Sequence, residues 1–263
     1  MPVIEIPAGP RSIYIAPDAA RPLPQQEPGS PAESFVDERI PGADLFVARV
    51  SIGAPSSLHF HRTSELQIVI SGAGVLVDAR AKECPIIPGS MIFSPQGPAG
   101  AHSLRPNGAL PLDVLRMFPS PGGVMPGQIE VEPLGPRVSE TSTFVVAPDG
   151  GWFAPPDILT APLSRFLDAT VRGATLFALR VAITGQIPLH CHSISELQIV
   201  IGGHGLALDG DGGRTPITTG GIVFSPGGLA GAHGFIQTGW TPLELICVYP
   251  SPGGAVPDRT ELT

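Results

Sequence analysis

The chain has 263 residues, a formal net charge of −8, 33 Gly and 32 Pro. About a quarter of its positions therefore punctuate the backbone, yet 42% hydrophobic against 14% charged residues excludes a chain unable to bury a core. Net negative charge and the lack of any basic run argue against nucleic acid and anionic membranes, and the Gly and Pro load argues against long helices, so an all-β protein is expected.

In chain order, short strands are expected at Leu45 to Ile52, Glu65 to Ile70, Val75 to Ala79, Ile87 to Pro95 and Pro111 to Phe118. A second series follows at Leu176 to Ile183, Glu196 to Ile201, Leu206 to Asp209, Thr218 to Pro226 and Pro242 to Tyr249. Turn signals such as Ser71-Gly-Ala-Gly74 and Asp209-Gly-Asp-Gly-Gly213 separate them. Helical periodicity shows only at Ile158 to Asp168, where Pro162 limits it. The Pro-rich stretches Pro17 to Pro31 and Pro148 to Pro162 are expected to cover the openings of the β units.

The two series are copies. Ser64-Glu-Leu-Gln-Ile-Val-Ile70 returns as Ser195 to Ile201, and at the same offset of 131 positions Phe93-Ser-Pro95 returns as Phe224 to Pro226. Ala99-Gly-Ala-His102 likewise returns as Ala230 to His233. A period this long marks a duplicated domain, since solenoid repeats run about 20 to 50 residues. The expected division is 1–132 and 133–263.

Six of the seven histidines obey the repeat. His59 and His61 map onto His190 and His192, and residues i and i+2 of a strand face the same side. Four positions on come Glu65 and Glu196, and later His102 and His233. Each copy thus offers three imidazoles and one carboxylate, a mixed N/O set suited to Fe(II), Mn(II), Ni(II), Cu(II) or Zn(II). Gln67 and Gln198 share strand parity with the glutamates and are candidate substrate hydrogen-bonders. Arg49 and Arg180 interrupt apolar strands in both copies and are candidate anchors for an anionic substrate group, or else partners in structural ion pairs. Arg116 is matched by Cys247, so the two pockets are expected to differ in chemistry.

The run Gly53, His59-Phe-His61, Glu65, Gly72, and the run Gly89, Pro95-Gln-Gly97, His102, resemble the two motifs of the cupin family. Their counterparts are Gly185, His190-Cys-His192, Glu196, Gly203 and Gly220, Pro226-Gly-Gly228, His233. The opening glycine of the second copy sits one residue late, and the spacing inside the second motif is longer than the family's common form. The resemblance implies a bicupin, two jelly-roll β-barrels each holding one divalent transition metal, Fe(II) first among them. By analogy with bicupin dioxygenases it implies a metal-dependent oxidoreductase acting with O2 on a small organic molecule. A non-redox isomerase or lyase, with the metal as Lewis acid, is the alternative, followed by a binding protein without turnover.

The expected partner is a small-molecule substrate, with neither nucleic acid nor membrane, in a monomer or homodimer. Three cysteines without a CxxC pair, and no cationic leader or long apolar run, predict a reduced cytoplasmic protein.

Overall fold

A computed structural model describes residues 10–24, 30–133, 143–148, 150, 152–153 and 163–262. Among these there is no α-helix, only strands and short 3-10 turns. Four antiparallel sheets form two barrels. In the first, a seven-stranded sheet containing Leu45–Ile52, Glu65–Ser71, Met91–Ser94 and Leu112–Pro119 faces a five-stranded sheet containing His59–His61, Gly74–Asp78 and His102–Pro106. The second barrel repeats this with Phe177–Ile183, Glu196–Gly202, Ile222–Ser225 and Leu243–Tyr249 opposite Gln186–Cys191, His204–Asp209 and His233–Gln237.

Strand membership does not follow the division at 132 and 133 throughout. Ile13–Ile15 pairs with Ile222 to Phe224 in the second barrel, and Phe144–Val146 pairs with Met91 to Phe93 in the first. The two barrels thus exchange one edge strand each, which covers edges that would otherwise be open for aggregation. Most of Pro148 to Pro162, part of Pro17 to Pro31 and the first half of the segment read as weakly helical lie outside the described residues. The second half of that segment, Leu163–Leu167, is a strand paired with Ala178 to Val181: sheet pairing overrides a short helical pattern.

Alternation along the seven-stranded sheets sorts their side chains into two cores. Leu45, Val47, Leu115 and Met117 face outward and join Leu176, Ile199, Phe224 and Ile246 in a hydrophobic core between the barrels. The opposite parity, Val69, Ile92, Leu112 and Val114, fills the inside of the first barrel, and Val181, Val200, Leu243 and Leu245 that of the second. Because both faces of these strands are buried, they read as near-continuous apolar runs.

Candidate metal centres

Inward parity carries the polar residues to one end of each barrel. His59 and His61 flank the outward Phe60, and all of His59, His61, Glu65, Gln67 and His102 are buried, as are their counterparts His190, His192, Glu196, Gln198 and His233. His102 pairs across the sheet with His59, and His233 with His190, so a short strand pair brings the third imidazole beside the first.

Every one of the six rings is oriented by a backbone carbonyl. Nδ1–H donates to Ser57 in His59, Gly127 in His61 and Gly100 in His102, at 2.9 to 3.0 Å. In the second barrel the acceptors are Pro188 for His190 and Gly231 for His233, both at 2.9 Å, and Asp258 for His192. A carbonyl can only accept, so each neutral ring keeps its Nε2 lone pair, and that lone pair points inward. Gly100 and Gly231 are required to offer these carbonyls: a Cβ on either would sit 1.7 Å from the carbonyl oxygen of Pro95 or Pro226.

The lone pairs converge on a carboxylate that is itself an acceptor. In the second barrel Glu196 Oε2 lies 3.1 Å from His192 Nε2 and 2.9 Å from His233 Nε2. None of these three atoms has a hydrogen-bond partner among the described residues. Acceptors packed this closely repel one another unless a proton or a metal ion lies among them. Metal–ligand bonds of about 2.1 Å at right angles would set neighbouring ligand atoms about 3.0 Å apart, which is the observed spacing. His190, His192, Glu196 and His233 all offer ligand atoms within 4.8 Å of one another, so the donor set fits one divalent ion.

The first barrel is looser. His102 Nε2 lies 3.0 Å from Glu65 Oε2, but His61 Nε2 is 3.6 Å from it, and in this barrel His59, Glu65 and His102 alone, among the described residues, bring their ligand atoms within 4.8 Å of one another. The His61 and His102 rings are 6.3 Å apart, against 5.7 Å for His192 and His233. Two further contacts are present here without a counterpart in the second barrel. Arg116 Nε lies 3.4 Å from Glu65 Oε1, and Gln67 Nε2 donates to His102 Nε2 at 2.9 Å. Register put Arg116 there: it pairs with Gln67 on one side and Ala48 on the other, both inward residues, and paired residues of an antiparallel sheet share a face. The Gln198 amide, by contrast, has no hydrogen-bond partner among the described residues.

Protonation follows these neighbours. Burial pushes His59 and His190 down to about 3, with the neighbouring His102 and His233 adding to the effect. Burial also lowers His61. His192 is pulled down by burial too, but contact with Glu196 and the charge of that carboxylate outweigh it and raise the ring above its ordinary value. Burial works to raise Glu65 and Glu196, yet both are held below the usual carboxylate range, Glu65 chiefly by Arg116 and Glu196 chiefly by His233.

A pocket of about 630 Å³, its open mouth included, reaches the second centre. Its walls are apolar, among them Phe177, Leu179, Val181, Leu245 and Val256, and its polar groups besides the ligands are Tyr249, Cys247, Arg165 and Arg259. The Tyr249 hydroxyl donates to Glu196 Oε1 at 2.6 Å. Burial and the Glu196 charge push that phenol far above its ordinary value. Arg259 is held by Glu261 at 2.7 Å. The corresponding pocket of the first barrel, about 550 Å³, meets that cluster only at His61 and Arg116.

Arg49 and Arg180 belong to neither pocket, and of their two readings, substrate anchor or structural ion pair, their contacts fit the ion pair. They share parity with the outward residues Leu45, Val47 and Phe177's neighbour Ala178, and point into the cleft between the barrels. Arg49 Nη2 contacts Glu33 Oε2 at 2.5 Å, and Arg180 Nη2 donates to Glu244 Oε2 at 2.7 Å. Tyr249, Arg165 and Arg259 were not singled out from the sequence. At the offset of 131 they replace Phe118, Ser34 and Gln128, so a mismatch within the repeat was the available signal.

No family model and no curated protein matches the chain. Solved structures do. An oxalate decarboxylase structure concerned with substrate binding and a reaction specificity switch superposes with a TM-score of 0.68 at 14% identity, covering 95% of this chain and 79% of that one. The formate complex of Lactobacillus farciminis oxalate decarboxylase gives 0.65 at 17% identity, with 95% and 88% covered. Bacillus subtilis oxalate decarboxylase, in work on its Mn(II) centres, gives 0.66 at 15% identity, with 95% and 79% covered. The fold is thus the bicupin fold, as the resemblance implied.

Proposed function

We propose that the chain is a metal-dependent enzyme of the lyase or isomerase type, working in the second barrel on a small organic acid. The observation that carries this reading is the set of four converging ligand atoms of His190, His192, Glu196 and His233 at the floor of an apolar pocket that also holds Tyr249 and two guanidinium groups. A divalent ion bound there would act as a Lewis acid on a carbonyl or carboxylate oxygen. Arg259 and Arg165, at the pocket wall, bind and orient the substrate's carboxylate. Tyr249 keeps its proton at the hydroxyl, 2.6 Å from Glu196, and its raised pKa makes it a lasting hydrogen-bond donor to that carboxylate, which it orients toward the ligand cluster. The apolar walls exclude water and accept a hydrocarbon body beyond the acid group.

The oxalate decarboxylases among the similar structures weigh for a lyase over the dioxygenase expected from the sequence, and they make Mn(II) the first metal to try, ahead of Fe(II), Ni(II), Cu(II) and Zn(II). The partner is a small molecule; the net charge of −8 suits neither nucleic acid nor an anionic membrane.

The test is to load the protein with Mn(II) or Fe(II) and incubate it with 2-oxo acids, β-keto acids and dicarboxylates under argon and in air. Product formation or deuterium incorporation at the α-carbon should proceed equally in both. Turnover that stops under argon and consumes O2 in air overturns the lyase reading in favour of the dioxygenase.

A further inference from the structure

We infer that the two barrels bind metal with unequal affinity, the second more tightly, and that Arg116 is the residue that sets the difference. This rests on the metal-centre reading above and goes beyond it, because the backbone and the ligand types of the two sites are the same and only their surroundings differ.

Three observations lead there. First, Arg116 is a permanent cation. It lies 3.4 Å from Glu65 with the two side chains 13% and 1% exposed, so water screens the pair little. The carboxylate that a divalent ion needs already has a positive partner, and an ion entering the first site meets a fixed like charge. The corresponding position in the second barrel is Cys247, and the guanidinium of Arg259 that lines that pocket is paired with Glu261 at 2.7 Å. Second, the Nε2 lone pair of His102 already accepts a hydrogen bond from Gln67 at 2.9 Å. The ring nitrogen His233 Nε2 and the amide of Gln198 are both without a hydrogen-bond partner among the described residues, so the contrast lies at this one ring: His59 Nε2, His61 Nε2 and both Glu65 oxygens are unpartnered too. Third, the ligand atoms of the second site stand at metal-ligand spacing, whereas His61 is drawn 3.6 Å from Glu65. Filling the first site requires breaking the Gln67 contact, displacing Arg116 and moving His61 inward. The second site requires none of these.

The size of the effect follows from what one neighbouring charge does to a buried ionic equilibrium, about 10- to 1000-fold. The experiment is a titration of the chelator-stripped full chain with Mn(II), followed by calorimetry and by elemental analysis after dialysis. The expected result is one tight class, and a second at least about 10-fold weaker or beyond the titrated range. Glu196→Gln should remove the tight class and Glu65→Gln should leave it intact. Arg116→Cys should bring the second class within about threefold of the first; Arg116→Gln, which keeps bulk and polarity without the charge, provides the same reading should the cysteine variant not fold. The reverse change, Cys247→Arg, should weaken the tight class.

Two equal classes in the unaltered chain overturn the inference, as does a tight class lost with Glu65→Gln. A second class that stays weak in a folded Arg116 variant removes Arg116 as its cause. Failure of the unaltered chain and every variant to bind Mn(II), Fe(II) or Zn(II) would instead overturn the metal-centre reading underneath.

Discussion

The two barrels share a backbone plan and all four ligand types, and both bury ligand atoms without hydrogen-bond partners, yet the first sets a guanidinium and an amide against its ligands and the second a phenol. Glu65 faces Arg116 and His102 faces Gln67; Glu196 faces Tyr249, and Gln198 has no hydrogen-bond partner among the described residues. Duplication preserved the turns and strands that place ligands, while a few inward substitutions reset the charge around them: Arg116 against Cys247, Phe118 against Tyr249, and Gln128 against Arg259. Ligand identity therefore describes what a cupin barrel can bind, and the inner neighbours decide how readily it does so.

The sharpest way to break this comparison is to disable one barrel at a time. Glu196→Gln should lower kcat/KM by at least about 1000-fold, through loss of the Lewis acid, whereas Glu65→Gln should lower it less than about 10-fold. Equal losses in steady-state assays would move the working centre out of the second barrel or divide it between both. Next in size, Tyr249→Phe should reduce kcat by about 10- to 100-fold with bound metal and KM little changed, as expected for loss of the hydrogen bond that orients Glu196. A proportional loss of metal would instead make Tyr249 a support for metal retention.

Acid sharpens the contrast further in the metal-free chain. His59 and His190 are held near 3 in the folded state against an ordinary 6.5, so the unfolded chain takes up those protons first. The stability present above about pH 6.5 is then lost as pH falls toward 3, at up to about 1.4 kcal/mol per pH unit for each ring. His61 is lowered and adds to this loss, but His192 is raised, and its contribution runs the other way, present in acid and lost as pH rises through its folded value. Denaturant unfolding at stepped pH should therefore show a steeper acid loss from the first barrel, so that replacing His59 and His61 by Asn flattens the profile more than replacing His190 and His192. The smallest effect is expected between the barrels: Glu33→Ala and Glu244→Ala leave Arg49 and Arg180 with solvent, and each should cost no more than about 1 kcal/mol and leave turnover unchanged. A large loss of turnover in either would restore the arginines as functional groups.

Much of the candidate site was legible because its signals are local. An i, i+2 histidine pair needs only a strand to share a face, and a glutamate four residues later needs only a short turn. Gln67 was placed inward by the same parity. Arg49 stayed open between substrate anchor and ion pair because its strand is apolar on both faces, and parity alone cannot say which face looks into the barrel. The same ambiguity hid Arg116, on the strand Leu112–Pro119 whose two faces serve two different cores. Along the chain Tyr249 differs from its counterpart Phe118 by one hydroxyl, and that hydroxyl acquires its role only from Glu196, 2.6 Å away.

Taken by itself, the sequence determined the duplication, the all-β class, the eight ligand-type residues and the turns that frame them, since each of these depends on neighbours along the chain or on a repeat that can be counted. Only the tertiary structure decided which strand face is the inside, that Ile13–Ile15 and Phe144–Val146 are exchanged between barrels, and that Arg116 meets Glu65 while Tyr249 meets Glu196. Those outcomes depend on register between strands tens of residues apart. A shift of one residue in pairing turns every side chain to the opposite face, and nothing local to either strand records which alignment buries more.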